Sequence, residues 1–203
     1  MPSKRELSRQ SHVYEAHTNA AFLLPEVIVI AQLRLEGLSW DQVTARVVAD
    51  NVLQLERVAT RRTYAQALKR RFEGSPRELL ELLEAGGEVA RAANLYAVLL
   101  RHRLLRELLL EVIVPKRLRF DALLRSTDVG AFMTLKLEQS ETLSGWTDAT
   151  LSRARQAMLR VLVEAGVLRR NSEVEFEIMS PMLPNALREV IQAHDPSHLA
   201  LFK

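Results

Sequence analysis

The 203-residue chain contains no cysteine, which excludes a disulfide framework, a thiol nucleophile and a cysteine-based zinc site. A reducing cytoplasm is compatible with that absence. Glycine and proline are scarce, seven of each, and Leu, Ala, Glu and Arg recur in long runs, so helices should dominate. The opening "MPSKRELSRQSHVYEAHTNA" lacks the apolar centre of a signal peptide and reads as a partly ordered arm over residues 1–19. The most membrane-like stretch, "LYAVLLRHRLLRELLLEVIV", carries Arg101, His102, Arg103, Arg106, Glu107 and Glu111. Charges at that density do not sit at a bilayer centre, so this is read as a buried scaffold helix. A Gly-rich phosphate loop, a nucleophile elbow and a spaced carboxylate motif are all missing from the sequence, so neither an enzyme nor a cofactor is expected. His194 and His198 have a helical metal spacing, but Asp195-Pro196 interrupts the helix and no partner ligands accompany them; no metal site is assigned.

What the chain does have is positive charge concentrated in one place. "RVATRRTYAQALKRRF", Arg57 to Phe72, holds six Lys/Arg and no acid, while the whole chain is only +3. On a helical wheel Tyr64, Leu68 and Phe72 make an inward stripe, and Arg62, Gln66 and Lys69 turn outward with Thr63 and Arg70 beside them. Solvated helices usually interleave Glu with their cations, and this one does not. Phosphate contact, a solvated face and an acidic protein partner are the three readings of such a ridge.

The surrounding residues supply the frame. Residues 20–37 form an apolar helix ending at Gly37, and Ser39 with Gln42 fits a capping box for the next helix. Thr60 is placed to cap the basic helix. Ser75-Pro76 opens "RELLELLEAGG", and a long helix from Glu88 to about Val114 halts at Pro115. Past Pro115, "RFDALLR" reads as a short helix and "DVGAFMTLKLEQS" as a second. A third, "TDATLSRARQAMLRVLVEAG", is capped by Thr147 or Asp148 and closed by Gly166. "VLRRN" and "EVEFEIMSP" alternate apolar and polar residues around Asn171–Ser172, which signals a hairpin, and "NALREVIQAH" adds a last short helix.

Three helices and a hairpin in that order describe a winged helix-turn-helix. The expected fold is therefore mainly α: a helical bundle over 20–114 with the basic helix, then a winged helix-turn-helix over 115–203 with one β-hairpin. In the third helix Leu151, Ala154, Met158, Val161, Leu162 and Ala165 face inward. Arg153, Gln156 and Arg160 face out, with Thr150 and Ser152 in the first turn. Arg and Gln suit contact with guanine and adenine edges, and the first part of such a helix is what meets the bases. Arg169 and Arg170 lie at the wing. Glu173, Glu175 and Glu177 lie on the polar side of its second strand, so either that strand faces away from a duplex or the domain binds protein.

These pieces together resemble the BrxA family of bacterial BREX phage-defence systems. The resemblance rests on "LRLEGLSWDQVTARVVADNVLQLERVATRRTYAQALKRRF", on "SGWTDATLSRARQAMLRVLVEAGVL" and on "FEIMSPMLPNALREVI", in that order and spacing. It implies N-terminal helices similar to NusB-like antitermination factors and a C-terminal winged-helix-like part. It also implies non-catalytic binding of double-stranded DNA in the cytoplasm, with other BREX proteins as partners. The expected contacts are Arg61, Arg62, Gln66, Lys69, Arg70 and Arg71 on the backbone, Thr150, Ser152, Arg153, Gln156 and Arg160 in or near the groove, and Arg169 and Arg170 on its flank. A protein-docking adaptor and an RNA binder are the alternatives.

Overall fold

A computed structural model describes residues 14–15, 21–180 and 182–202, so most of the expected N-terminal arm lies outside the described residues. The described chain forms two compact units. Leu23–Val98 and Pro184–Asp195 make the first; Leu99–Leu183 makes the second, joined by Tyr14, Glu15, Ala21, Phe22 and the residues from Pro196 onward. The sequence reading divides the chain at Pro115, whereas Leu99–Val114 belongs with the second unit and the last long helix with the first.

The first unit contains α1 (Leu24–Leu35), α2 (Trp40–Val48), α3 (Val58–Phe72), α4 (Arg77–Glu84) and most of α5 (Gly87–Arg101). Gly37 ends the α1 turn at φ +91°, the left-handed region that glycine enters without strain. The Ser39 capping box forms as expected: Ser39 Oγ accepts from the Gln42 amide at 3.3 Å, and Gln42 Oε1 accepts from the Ser39 amide at 2.8 Å. α3 begins earlier than the Thr60 cap anticipates, at Val58, with Arg57 as its uncapped N-terminal flank. α1 packs on α4, α2 packs on α3, and α4 also receives α11 (Asn185–His194). Leu79 and Leu83 of α4 are fully buried, each contributing roughly 2 kcal/mol through the hydrophobic effect.

In the second unit the long helix expected from Glu88 to Val114 is interrupted. His102 leaves helical geometry at φ −106°, ψ +88°. α6 (Arg103–Leu108), a π-helical turn (Leu109–Ile113) and α7 (Val114–Leu118) follow. The segment read as a short helix, "RFDALLR", is instead a turn and β1 (Leu123–Arg125). Its helical propensity loses to pairing with a distant strand. α8 (Ser126–Gln139), α9 (Glu141–Ser144) and α10 (Asp148–Glu164) come next, then β2 (Leu168–Arg170) and β3 (Glu175–Ile178). The sheet is antiparallel with order β1-β3-β2, Leu124 opposite Phe176 and Arg170 opposite Phe176 on the other side. The architecture is thus mainly helical with one small three-stranded sheet.

A polar cluster holds this unit's N-terminal residues to its helices. Tyr14 donates to Glu107 Oε2 at 2.8 Å, Arg103 donates to Glu107 Oε1 at 2.7 Å, and the Arg103 guanidinium stacks 4.0 Å from the Tyr14 ring centroid. Lys136, buried, lies 3.1 Å from Glu107 and 2.6 Å from Glu111. Burial pushes the Glu107 carboxyl upward, but hydrogen bonds from Arg103, Tyr14 and Lys136 outweigh it and leave the group below the ordinary glutamate value.

Candidate nucleic-acid interface

α10 is built to present one polar side. Thr147 caps it by accepting from the Thr150 amide at 3.2 Å, and Ala154, Ala157, Met158, Val161 and Leu162 bury the opposite side. Ser152, Arg153, Gln156 and Arg160 are exposed, as the wheel anticipates. Thr150 is half-buried, and its hydroxyl lies 3.0 Å from that of Thr147, which makes it part of the cap. Neither Arg153 nor Arg160 has an ion-pair partner among the described residues.

Beside this ridge runs a groove of about 950 Å³ between α8, α10 and the hairpin. Arg155, Arg160 and Arg170 line it with Gln156 and Ser152, and Glu164 and Glu173 line it as well. Successive strand residues point to opposite sides of a sheet, and this separates Arg169 from Arg170. Arg170 shares its side with Phe176, stacks 5.4 Å from that ring and faces the groove. Arg169 is on the other side, cross-strand from Glu177 and ion-paired with it. Glu175 lies 3.9 Å from Arg125 of β1. Glu175 and Glu177, two of the three glutamates of this hairpin, therefore have arginines across the ladder, which reduces the repulsion an isolated acidic strand would exert on a phosphate backbone. Such exposed pairs stabilise the fold by no more than about 1 kcal/mol each.

On α3 the expected outward ridge is only partly present. Arg62, Gln66 and Arg70 are exposed. Lys69 is half-buried, 3.6 Å from Asp41 of α2. Arg61 is turned back on its own unit, donating to the carbonyls of Val48 at 3.3 Å, Leu55 at 2.7 Å and Glu56 at 3.4 Å. It thereby satisfies the C-terminal end of α2, where a cation is favoured. Arg71 requires correction as an outward contact: it is 7% exposed and donates to Asn94 Oδ1 at 3.1 Å. Burial pushes its guanidinium down to about 10, still charged at neutral pH.

A family model described as BrxA matches residues 14–195. The chain belongs to the BrxA family. A Bacillus cereus (strain H3081.97) relative named BREX protein BrxA is 27% identical over 172 residues, covering 84% of this chain and 86% of the relative. Another of that name, from Paramagnetospirillum magneticum (strain AMB-1), is 24% identical over 177 residues, covering 83% and 89%. The crystal structure of an uncharacterized protein from Magnetospirillum magneticum superposes with a TM-score of 0.77 at 22% identity, covering 93% of this chain and 97% of that one. That last likeness establishes the fold of this BrxA family member.

Sequence reasoning missed two cations here. Arg155 of α10 lines the groove, but a wheel assigns it to the flank because it cannot show a concavity formed with α8 and the hairpin. Arg125 was hidden by the helical reading of "RFDALLR". No helix among the described residues is long and apolar enough to cross a membrane, and no group of three or more His, Asp or Glu side chains among them could hold a metal ion.

Proposed function

We propose that this BrxA family member is a non-catalytic, cytoplasmic component of a bacterial BREX phage-defence system that binds double-stranded DNA, mainly through its backbone. Membership in BREX is supported by the names of its relatives. DNA binding is supported most by one observation: Arg153, Gln156 and Arg160 form an exposed ridge on a rigid helix, with Arg155 and Arg170 in the groove alongside. The succession of a helix, β1, α8, α9, α10 and hairpin, with sheet order β1-β3-β2, supports the reading of this part as a winged helix with α10 as its recognition helix. Lys and Arg on such a ridge displace condensed counterions, so affinity should fall steeply with salt and depend weakly on sequence. Arg62, Gln66 and Arg70 of the first unit, resembling the NusB-like half of the family, offer a second, smaller backbone contact.

The test is a series of binding isotherms on a generic duplex at rising salt, with single-stranded DNA and structured RNA as competitors. Arg153→Glu with Arg160→Glu should lower the slope of log affinity against log salt by about two units. At low salt it should weaken binding roughly 30-fold, about 2 kcal/mol, with thermal stability unchanged. A folded double variant with the slope of the wild type would remove α10 from the interface, and preferential competition by RNA would replace DNA with RNA as the ligand.

A further inference from the structure

The segment between the end of α7 and β1 carries two exposed apolar side chains, one of them the most exposed large apolar residue described. Phe120 is 96% exposed and Leu118 is 65% exposed. Phe120 also sits at φ +59°, the left-handed region that favours glycine and is an outlier for a bulky side chain. In the isolated chain this phenylalanine therefore carries backbone strain with no burial to offset it.

The turn is nonetheless rigid. The Phe120 amide donates to the Arg117 carbonyl at 3.0 Å and the Asp121 amide to the Lys116 carbonyl at 3.0 Å. Lys116 Nζ ties the turn to the next helix, 2.7 Å from Asp121 and 3.0 Å from Asp128. Those two carboxylates are thereby engaged by Lys116, which leaves the flanking cations without acids. Arg119 is exposed with no ion-pair partner among the described residues, and Arg117 Nη2 is buried without a hydrogen-bond partner. The tip is therefore a preorganised aromatic knob next to the exposed Arg119, and Phe and Arg are both enriched in protein interfaces.

Its position separates it from the proposed DNA face. β1 runs antiparallel to β3, with Leu123 opposite Glu177 and Arg125 opposite Glu175. The Ile178 amide donates to the Ala122 carbonyl, placing the knob at the Ile178 end of β3. The hairpin tip is at the other end of β3, about 10 Å along the strand, while the first turn of α8 stays tied to the knob's turn through Lys116 and Asp128. The knob thus lies at the opposite end of β3 from the hairpin tip.

We propose that Leu118 and Phe120 form a docking knob for another protein of the same BREX system, one offering an apolar pocket rimmed by carboxylates. The pocket takes the phenyl ring, and its carboxylates pair with the exposed Arg119. The proposal rests on BREX membership but not on DNA binding.

The experiment is co-expression of the tagged full chain with the other BREX proteins of the same system, followed by affinity measurement on any purified pair. Wild type should retain one component. Phe120→Glu should weaken that pair at least tenfold, and Arg119→Glu should weaken it less. Phe120→Gly relieves the backbone and removes the ring, so it should weaken the pair equally while its melting temperature matches or exceeds that of the wild type. Duplex affinity should be the same in all of these chains. Retention of no component, or retention by Phe120→Glu and Phe120→Gly as strong as that of the wild type, overturns the proposal. So does a duplex affinity that falls with Phe120→Glu, which would make the ring a wedge for nucleic acid. Self-association of the wild type abolished by the same change would make the partner a second copy. Loss of DNA binding by wild type with the pair intact would overturn the function proposed above and leave the knob standing.

Discussion

α3 and α10 are two cation-bearing helices of similar length, 15 and 17 residues, and in the sequence α3 is the more basic. The structure reverses their order as surfaces. α3 turns Arg71 into its own core against Asn94, ties Arg61 to the end of α2 and places Lys69 against Asp41. α10 keeps Arg153 and Arg160 outside, with no acid paired to either among the described residues. A stretch free of acids is thus not a stretch of free charges, because the groups that engage its cations arrive from elsewhere in the chain. Local charge density measures what a helix has available; tertiary contacts decide what remains for a ligand.

The sharpest way to break this contrast is Arg71→Ala. The change leaves Asn94 without that donor and opens a void, and should cost about 3 kcal/mol in a urea or thermal unfolding series. The salt dependence of duplex binding by the folded fraction should stay that of the wild type. A slope reduced by a full unit would mean that Arg71 reaches phosphate after all.

The second unit offers the same contrast between engaged and available charges at Glu107, which engages Arg103, Tyr14 and Lys136. Its carboxyl lies below the ordinary glutamate value when folded. Its contribution to stability is therefore complete above the unfolded value and is lost as pH falls through the lower folded one. Glu107→Gln should cost about 2 kcal/mol at neutral pH. It should also flatten the decline of melting temperature below about pH 4.3. Parallel acid profiles for variant and wild type would remove Glu107 as the source of that decline.

The smallest effect is expected from Arg62→Glu with Arg70→Glu, the two exposed arginines α3 retains. A secondary backbone contact predicts a reduction of one to two units in the salt slope and a loss of affinity below about tenfold. An unchanged slope would leave α10 and its groove as the whole interface.

Much of this was legible in the sequence because the signals are local. The Ser39–Gln42 box, a cap at Thr147 or Asp148, the Gly37 stop and the outward set Arg153, Gln156 and Arg160 all follow from spacing within one or two turns. What was illegible depends on distant partners. β1 is three residues long, and only β3, some fifty residues on, makes it a strand. The break at His102 interrupts a sequence with uniform helical periodicity. Arg71 sits one residue from Phe72 on the edge of the apolar stripe, and its guanidinium turns inward to Asn94, a residue on a different helix.

The return of α11 to α4 has a consequence for how the molecule is made. Leu80 and its neighbours on α4 emerge from the ribosome long before Leu187, Val190 and Ile191, the apolar face of α11. Translation must run through the whole second unit before the first can close. A nascent chain paused anywhere between residues 99 and 184 therefore carries an unfinished apolar seam, and release at that stage should expose it to chaperones and proteases.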